Sequence, residues 1–286
     1  MSVQITTAFV EQYKSNVFHL AQQKGSRLRD AVRSESVTGK SHFFERIGST
    51  AALKRTSRHA DTPRVDTPHS RRKVTMEDYD WADLIDQEDK VRMLISPQSE
   101  YAKAGAYAMG RAMDDAIIAA AVGNALAGVS GGTTVSLPAG QKVAVASSGL
   151  SVTKLISAKE IIDAADVDPD EERYLICSAK QISDLLALTQ ITSSDYNSVK
   201  ALVQGQIDTF MGFKFIRSER LGLDGSSNRQ VLAFTKSAIG LAVGKDMSTK
   251  ISERADKNYA TQVFLSMTIG ATRVEDEKVV EIACQE

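Results

Sequence analysis

Two cysteines, five prolines and 6% aromatic residues in a chain of 286 exclude several kinds of protein at once. Cys177 and Cys284 lie far apart with no CxxC partner, so neither a disulfide framework nor a zinc knuckle is supported, and both are expected as free thiols. Scarce aromatic rings disfavour stacking on nucleic-acid bases. No run of about 18 uncharged apolar residues occurs, and MSVQITTAFVEQYK at the N-terminus lacks a basic segment followed by an apolar one. The expectation is a soluble product that stays off membranes. Catalytic patterns are missing as well: there is no GxSxG elbow and no HxxxH or HExxH spacing, and GVSGGTTV (128–135) lacks the lysine of a phosphate-binding loop and reads as a mobile loop. No catalytic, cofactor or metal residue is nominated.

What the chain does have is polarity from end to end. Its first 73 residues hold all four histidines and fourteen Lys/Arg against six Asp/Glu, while the remaining 213 carry twenty-one against thirty. The head is thus strongly basic and the body acidic, although the whole is near neutral at -1. One molecule offers two complementary surfaces that a second copy could use. With 42% apolar residues, drawn mainly from Ala, Val, Ile and Leu, it can also bury one large or two smaller cores.

Residues 7–24 place Phe9, Val10, Tyr13, Val17, Leu20 and Ala21 on one helical face, with Thr7 as N-cap and Gly25 after the last turn, which predicts an amphipathic helix that docks on protein. From Arg27 to Lys73 the helical period disappears, and the stretch cannot build a core of its own. Basic residues recur at Arg46, Lys54, Arg55, Arg58, Arg64, Arg71, Arg72 and Lys73 around two Asp-Thr-Pro repeats (61–63 and 66–68). Proline removes a backbone donor and extends the residue before it, so a long projecting β-hairpin with a blunted tip is expected, returning over Val74 to Trp81.

Ser96 as N-cap and Pro97 at the first helical position open a helix of 27 residues ending near Gly123 and Asn124, about 40 Å long, with a stripe of Tyr101, Gly105, Ala108, Ala112, Ala116 and Ala119. Next comes a passage of small residues read as a hairpin or crossover. A helix over Thr153–Ala165, a turn at Asp168–Asp170, the strand RYLIC, a helix capped by Ser178 running through Leu188, and the strands GFKFIRS and RQVLAFT follow. Residues 248–284 read as two or three further strands, VVEIAC being the last.

Three constellations have plain readings. Asp114 and Asp115 are about 100° apart on a helix and are expected on a solvated face. Asp78, Asp80, Asp83 and Asp86 lack the glycine and terminal glutamate of a calcium loop. The eight basic residues of 46–73 could neutralise DNA phosphates, but with an acidic body and no recognition helix they point to a neighbouring copy.

These elements in this order resemble the major capsid proteins of tailed bacteriophages, which share the Hong Kong 97-like fold. The strings SPQSEYAKAGAYAMGRAMDDAIIAAAVGNA, GQIDTFMGFKFIRSERLG (205–222) and RQVLAFTKSAIGLAVGKD (229–246) look like the family's spine helix, late axial-domain strand and following strand-helix element. The resemblance implies an α+β chain divided into an N-terminal arm (1–42), an E-loop hairpin (43–80), a peripheral domain (81–140) with spine helix 97–123, an axial domain (141–246) and peripheral return strands (247–286). It implies a structural protein of the virion, not an enzyme. Hexamers and pentamers would close into an icosahedral head around double-stranded DNA, assembled in the host cytoplasm with a separate scaffolding protein and a portal. Arm and loop would gain order on adjacent subunits, with Phe43, Phe44, Arg55, Arg58, Arg64, Arg71, Arg72 and Lys73 as contact candidates. Lys54 and Lys73 fall in the loop, but no partner asparagine or glutamate is matched, so no covalent crosslink is expected. Rival readings are an encapsulin-like nanocompartment shell, a basic-arm DNA-binding protein and a metal-dependent enzyme on the Asp78–Asp86 cluster.

Overall fold

A computed structural model describes residues 22–59, 61–86, 97–187 and 209–286. The described residues form three sheets and three α-helices. One four-stranded sheet has the order β1 (Arg33–Ser36), β12 (Ile239–Arg254), β13 (Ala260–Arg273), β4 (Glu77–Ile85), with β1 parallel to β12 and the others antiparallel. A six-stranded sheet runs β7 (Lys142–Val143), β14 (Val279–Cys284), β11 (Arg229–Thr235), β8 (Arg173–Cys177), β10 (Phe213–Arg217), β9 (Thr209–Phe210). The third joins β2 (Ser41–Ile47), β3 (His69–Thr75), β5 (Ala125–Ala127) and β6 (Thr133–Val135).

Helix α1 (Pro97–Val122, 26 residues) spans about 39 Å and lies on the first sheet. Strand alternation explains the fit: Val263, Leu265, Met267 and Ile269 of β13 are all buried, as a period of two requires for one covered face. The helix answers with Met109, Met113, Ile117, Ile118 and Ala121. Gly105 lets it approach closely, since a Cβ there would stand 2.6 Å from the Trp81 ring. The small-residue stripe expected from sequence faces the core over most of its length, with Gly105 buried and Tyr101, Ala112 and Ala116 packed against it, and leaves it only at Ala119, which is exposed.

In the six-stranded sheet all five residues of β8 are buried, as suits an apolar strand covered on both faces. Helices α2 (Val152–Ala164) and α3 (Ala179–Leu186) begin at Ser151 and Ser178. The Ser151 hydroxyl accepts from Lys154 N (3.4 Å), and Gln181 Oε1 accepts from Ser178 N (2.8 Å).

Several expectations are corrected. VVEIAC, expected among the return strands with 247–286, does not join β12 and β13; β14 pairs with β11 and β7 in the six-stranded sheet. IGLAVGKD is the start of β12, not a helix, because its alternating side chains pack on both faces near β13. The hairpin's regular pairing covers only Ser41–Ile47 with His69–Thr75, after which β4 joins another sheet. Of the two readings of the small-residue passage the hairpin is the one that forms: GVSGGTTV supplies the turn and second strand of β5/β6, Gly128 and Gly131 taking positive φ, instead of a mobile loop. The stretch from Arg27 is not coreless either: Leu28, Ala31 and Val32 are buried in the main core. Of the predicted helix 7–24, residues 7–21 lie outside the described residues and 22–24 are not helical. Ser96 and Leu188 also fall outside them.

Candidate assembly interface

The hairpin β2–β3 is fastened to its own subunit by a small core of Val37, Phe44, Val74, Ala242 and Val274. Phe44 packs over Gly240, where a Cβ would lie 2.6 Å from the ring, and Gly270 admits the Thr75 carbonyl in the same way at 2.4 Å. Beneath it sits a buried charge cluster. Asp276 receives Arg72 Nη2 and Arg273 Nε, each at 2.5 Å. Arg273 is fully buried and also donates to the carbonyls of Ala121 (3.0 Å), Gly123 (2.6 Å) and Val135 (3.1 Å). It thereby satisfies orphan carbonyls at the C-terminal end of α1, where a positive charge is favourable. Burial lowers the Arg72 pKa, partly offset by Asp276. One cluster thus ties hairpin, helix end and β13 together.

The chain reaches the hairpin across α1. Asp114 is fully buried and accepts from Ser26 Oγ (2.5 Å), Leu28 N (3.1 Å) and Arg27 N, with Gln23 Nε2 as a further donor. One turn earlier, Gly110 touches the Gly25 backbone, and a Cβ there would lie 2.4 Å from Gly25 C. The solvated face expected for the Asp114–Asp115 pair is therefore correct only for Asp115, which pairs with Arg220. A helical wheel carries the missed signal, because Asp114 stands four residues after Gly110 and four before buried Ile118. Arg273 and Asp276 carry no such signal: Arg273 ends the strand β13 and Asp276 lies in the charged run EDEK after it, and nothing local in the sequence turns either inward.

Strand pairing in the hairpin stops at Gly48 N donating to Pro68 O (2.9 Å), and the described residues from 48 to 68 are all exposed. Of the contact candidates, Arg55, Arg58 and Arg64 are here, beside exposed Leu53 and Val65, with Ile47 at the base. Arg55 Nε donates to Ser57 O, and Arg64 makes only a 3.4 Å pair with Asp66. Phe43 is half-buried under the Arg71 guanidinium (5.2 Å to the ring centre), Arg71 pairs with Glu45 at 3.0 Å, and Lys73 lies over Gly131. Phe44 and Arg72 are different. Both are occupied inside their own chain and drop from the candidates for neighbour contact.

On the opposite charge side, β4 is the last strand of its sheet and bears Glu77, Asp78, Asp80 and Asp83, followed by Asp86, with no basic residue between. Among the described residues none of the five is in an ion pair. Asp78 Oδ1 accepts from Thr268 (2.6 Å) and Asp83 Oδ1 from Leu84 N (2.8 Å). No group of three or more His, Cys, Asp or Glu among the described residues is placed to hold a metal ion, and no described helix is long and apolar enough to cross a membrane.

A family model described as phage capsid protein matches residues 5–286. No curated protein matches. The capsid of Cyanophage P-SCSP1u is similar over 100% of this chain and 96% of that one, with TM-score 0.74 at 18% identity. A chain of Mycobacterium phage Che8 gives 0.70 at 16% identity, covering 96% and 97%, and the capsid of a native GTA particle 0.69 at 12%, covering 100% and 98%. At such identities the likeness is one of fold, and that fold is the Hong Kong 97-like one.

Proposed function

The chain belongs to the phage capsid protein family as a major capsid protein of the virion, and from that premise we propose that its copies form hexamers and pentamers closing into an icosahedral head around double-stranded DNA. The observation that carries the assembly reading is the coexistence, in one chain, of an exposed basic stretch whose Lys54, Arg55 and Arg58 make no ion pair among the described residues and an acidic strand edge whose Glu77, Asp78, Asp80 and Asp83 make none either. Such surfaces meet in a second copy, and many weak contacts in a closed lattice are collectively strong.

Residues Phe43, Arg55, Arg58, Arg64, Arg71 and Lys73 are the contact set, lying on or beyond a hairpin whose base is fixed. Residues 1–42 are the arm and 43–80 the hairpin loop, whose base pairs over Ser41–Ile47 and His69–Thr75; α1 with β4, β12 and β13 is the peripheral unit and the six-stranded sheet the axial unit. DNA is held by non-specific contacts, a separate scaffolding protein and a portal take part, and assembly occurs in the host cytoplasm. No residue is assigned a catalytic role.

Expression with the genomic neighbours tests this. The account expects large closed particles that protect double-stranded DNA from nuclease. Particles filled with a protein cargo and free of DNA would replace it with the nanocompartment reading, and absence of particles would reject both.

A further inference from the structure

We propose that the notch between the base of the β2–β3 hairpin and the β5/β6 turn is a binding site for a small phosphate compound, of which pyrophosphate is the simplest. The notch exists because β5 pairs with β3 only at Arg72 and Lys73. At Gly128, where φ is 91°, the chain turns away, and the edge of β3 over His69–Arg71 is left facing a cavity of about 510 Å³. That volume lies in the range of small-molecule sites. Sheet edges and turns of this kind make anion-binding concavities, since backbone N–H groups without strand partners gather there.

Strand register brings cations to both sides of this edge. Arg46 stands opposite Ser70 and Glu45 opposite Arg71, so alternation puts Arg46 on the face of Arg72, and Arg71 with His69 on the other. The charge is unbalanced. Among the residues lining the notch the one acid is Glu45, already held by Arg71 at 3.0 Å. Arg46 and His69 have no ion-pair partner among the described residues, and neither belongs to the assembly contact set. Arg46 also acts on Arg72, whose pKa is lowered first by burial; Asp276 opposes that, Arg46 and Arg273 lower it further, and Glu277 opposes again. Arg46, Arg72 and Arg273 are thus close enough to repel, while Asp276 serves only the last two. A dianion in the notch would relieve the surplus, and a guanidinium fork matches phosphate oxygens in pairs. The walls also restrict the source. A notch between two hairpins is too narrow for a duplex to bring its backbone in, whereas a free phosphate compound enters past Val129, which is 87% exposed.

Isothermal titration calorimetry of the full chain with pyrophosphate, at constant ionic strength, tests the site. One pyrophosphate per chain is expected. Arg46→Gln should weaken binding about ten-fold and R46Q/H69Q about thirty-fold, whereas K250Q/K257Q, which removes two positive charges outside the notch, should leave the affinity unchanged. His69 is exposed, so His69→Gln alone, with an expected loss of about three-fold, carries the test if circular dichroism shows that the Arg46 variants do not fold. Absence of binding, or equal weakening by the notch variants and K250Q/K257Q, overturns the site. Displacement of pyrophosphate by an oligoglutamate peptide or by a short DNA duplex overturns the choice of ligand. The shell reading is judged separately, by whether particles form in the microscope.

Discussion

Arg72 and Asp276 stand 204 residues apart in sequence yet form an ion pair whose side chains are only 7% and 9% exposed. Asp276 serves two arginines, so the partners are not equivalent. Asp276→Asn leaves Arg72 and Arg273 buried together and should cost about 3–5 kcal/mol, whereas Arg72→Met leaves Asp276 paired with Arg273 and should cost about 1.5 kcal/mol. Urea unfolding of the two variants checks the ranking, and equal losses would contradict the shared role. Charge reversal across residues 71–73 would confuse folding with assembly, since Arg72 is internal.

Asp114 makes the incoming chain part of the fold. Asp114→Ala strands buried donors of residues 26–28 and should cost about 3 kcal/mol. Gly110→Ala forces a methyl against Gly25 and should cost about 2 kcal/mol. In both variants limited trypsin digestion should cut sooner after Arg27 and Arg29. Unchanged cleavage would show that the segment is held elsewhere.

Long periodic segments were legible because their signals are local. Pro97 at the start of α1, the serine caps and the alternation of β13 each fix an element through its own neighbours. Sheet membership was not legible, since it depends on which edge a strand meets: β14 reads as any apolar strand and could close either sheet. The hairpin's basic run was visible, but its division was not. Phe44 and Arg72 turn inward only because Gly240 and Asp276, roughly 200 residues later, provide a cavity and a counter-charge. The surface candidates Arg55, Arg58 and Arg64 have no such distant partner in the chain and are nominated from composition alone.

Cys177 and Cys284 should be inert in the native chain. Burial pushes the first thiol up to about 12 and the second to about 11. A thiol reagent at pH 8 should label neither until denaturant is added, and then both. Rapid labelling of the native protein would contradict their placement in the core.

Glu286 accepts from Arg229 Nη2 (2.6 Å), Gln181 Nε2 (2.9 Å) and Ser178 Oγ (3.1 Å), tying the segment after β14 to the start of α3. The hydrogen bond from Arg229 leads in holding its carboxyl at about 2, below the ordinary 4.5. A depressed folded value means that the contribution is complete above the ordinary value and fades as pH falls toward the folded one. Glu286→Gln should therefore flatten the dependence of Tm on pH between about 4.5 and 2. An unchanged slope would assign that acid sensitivity to other carboxylates.

The most direct measurement is electron microscopy of the full chain, expressed alone and with its genomic neighbours, followed by reconstruction of whatever assembles. The account predicts closed shells or angular sheets built of hexameric and pentameric units, with each hairpin reaching beyond its own subunit onto a neighbour. A uniform small particle under both conditions, or shells in which every hairpin folds back on its own chain, would contradict it.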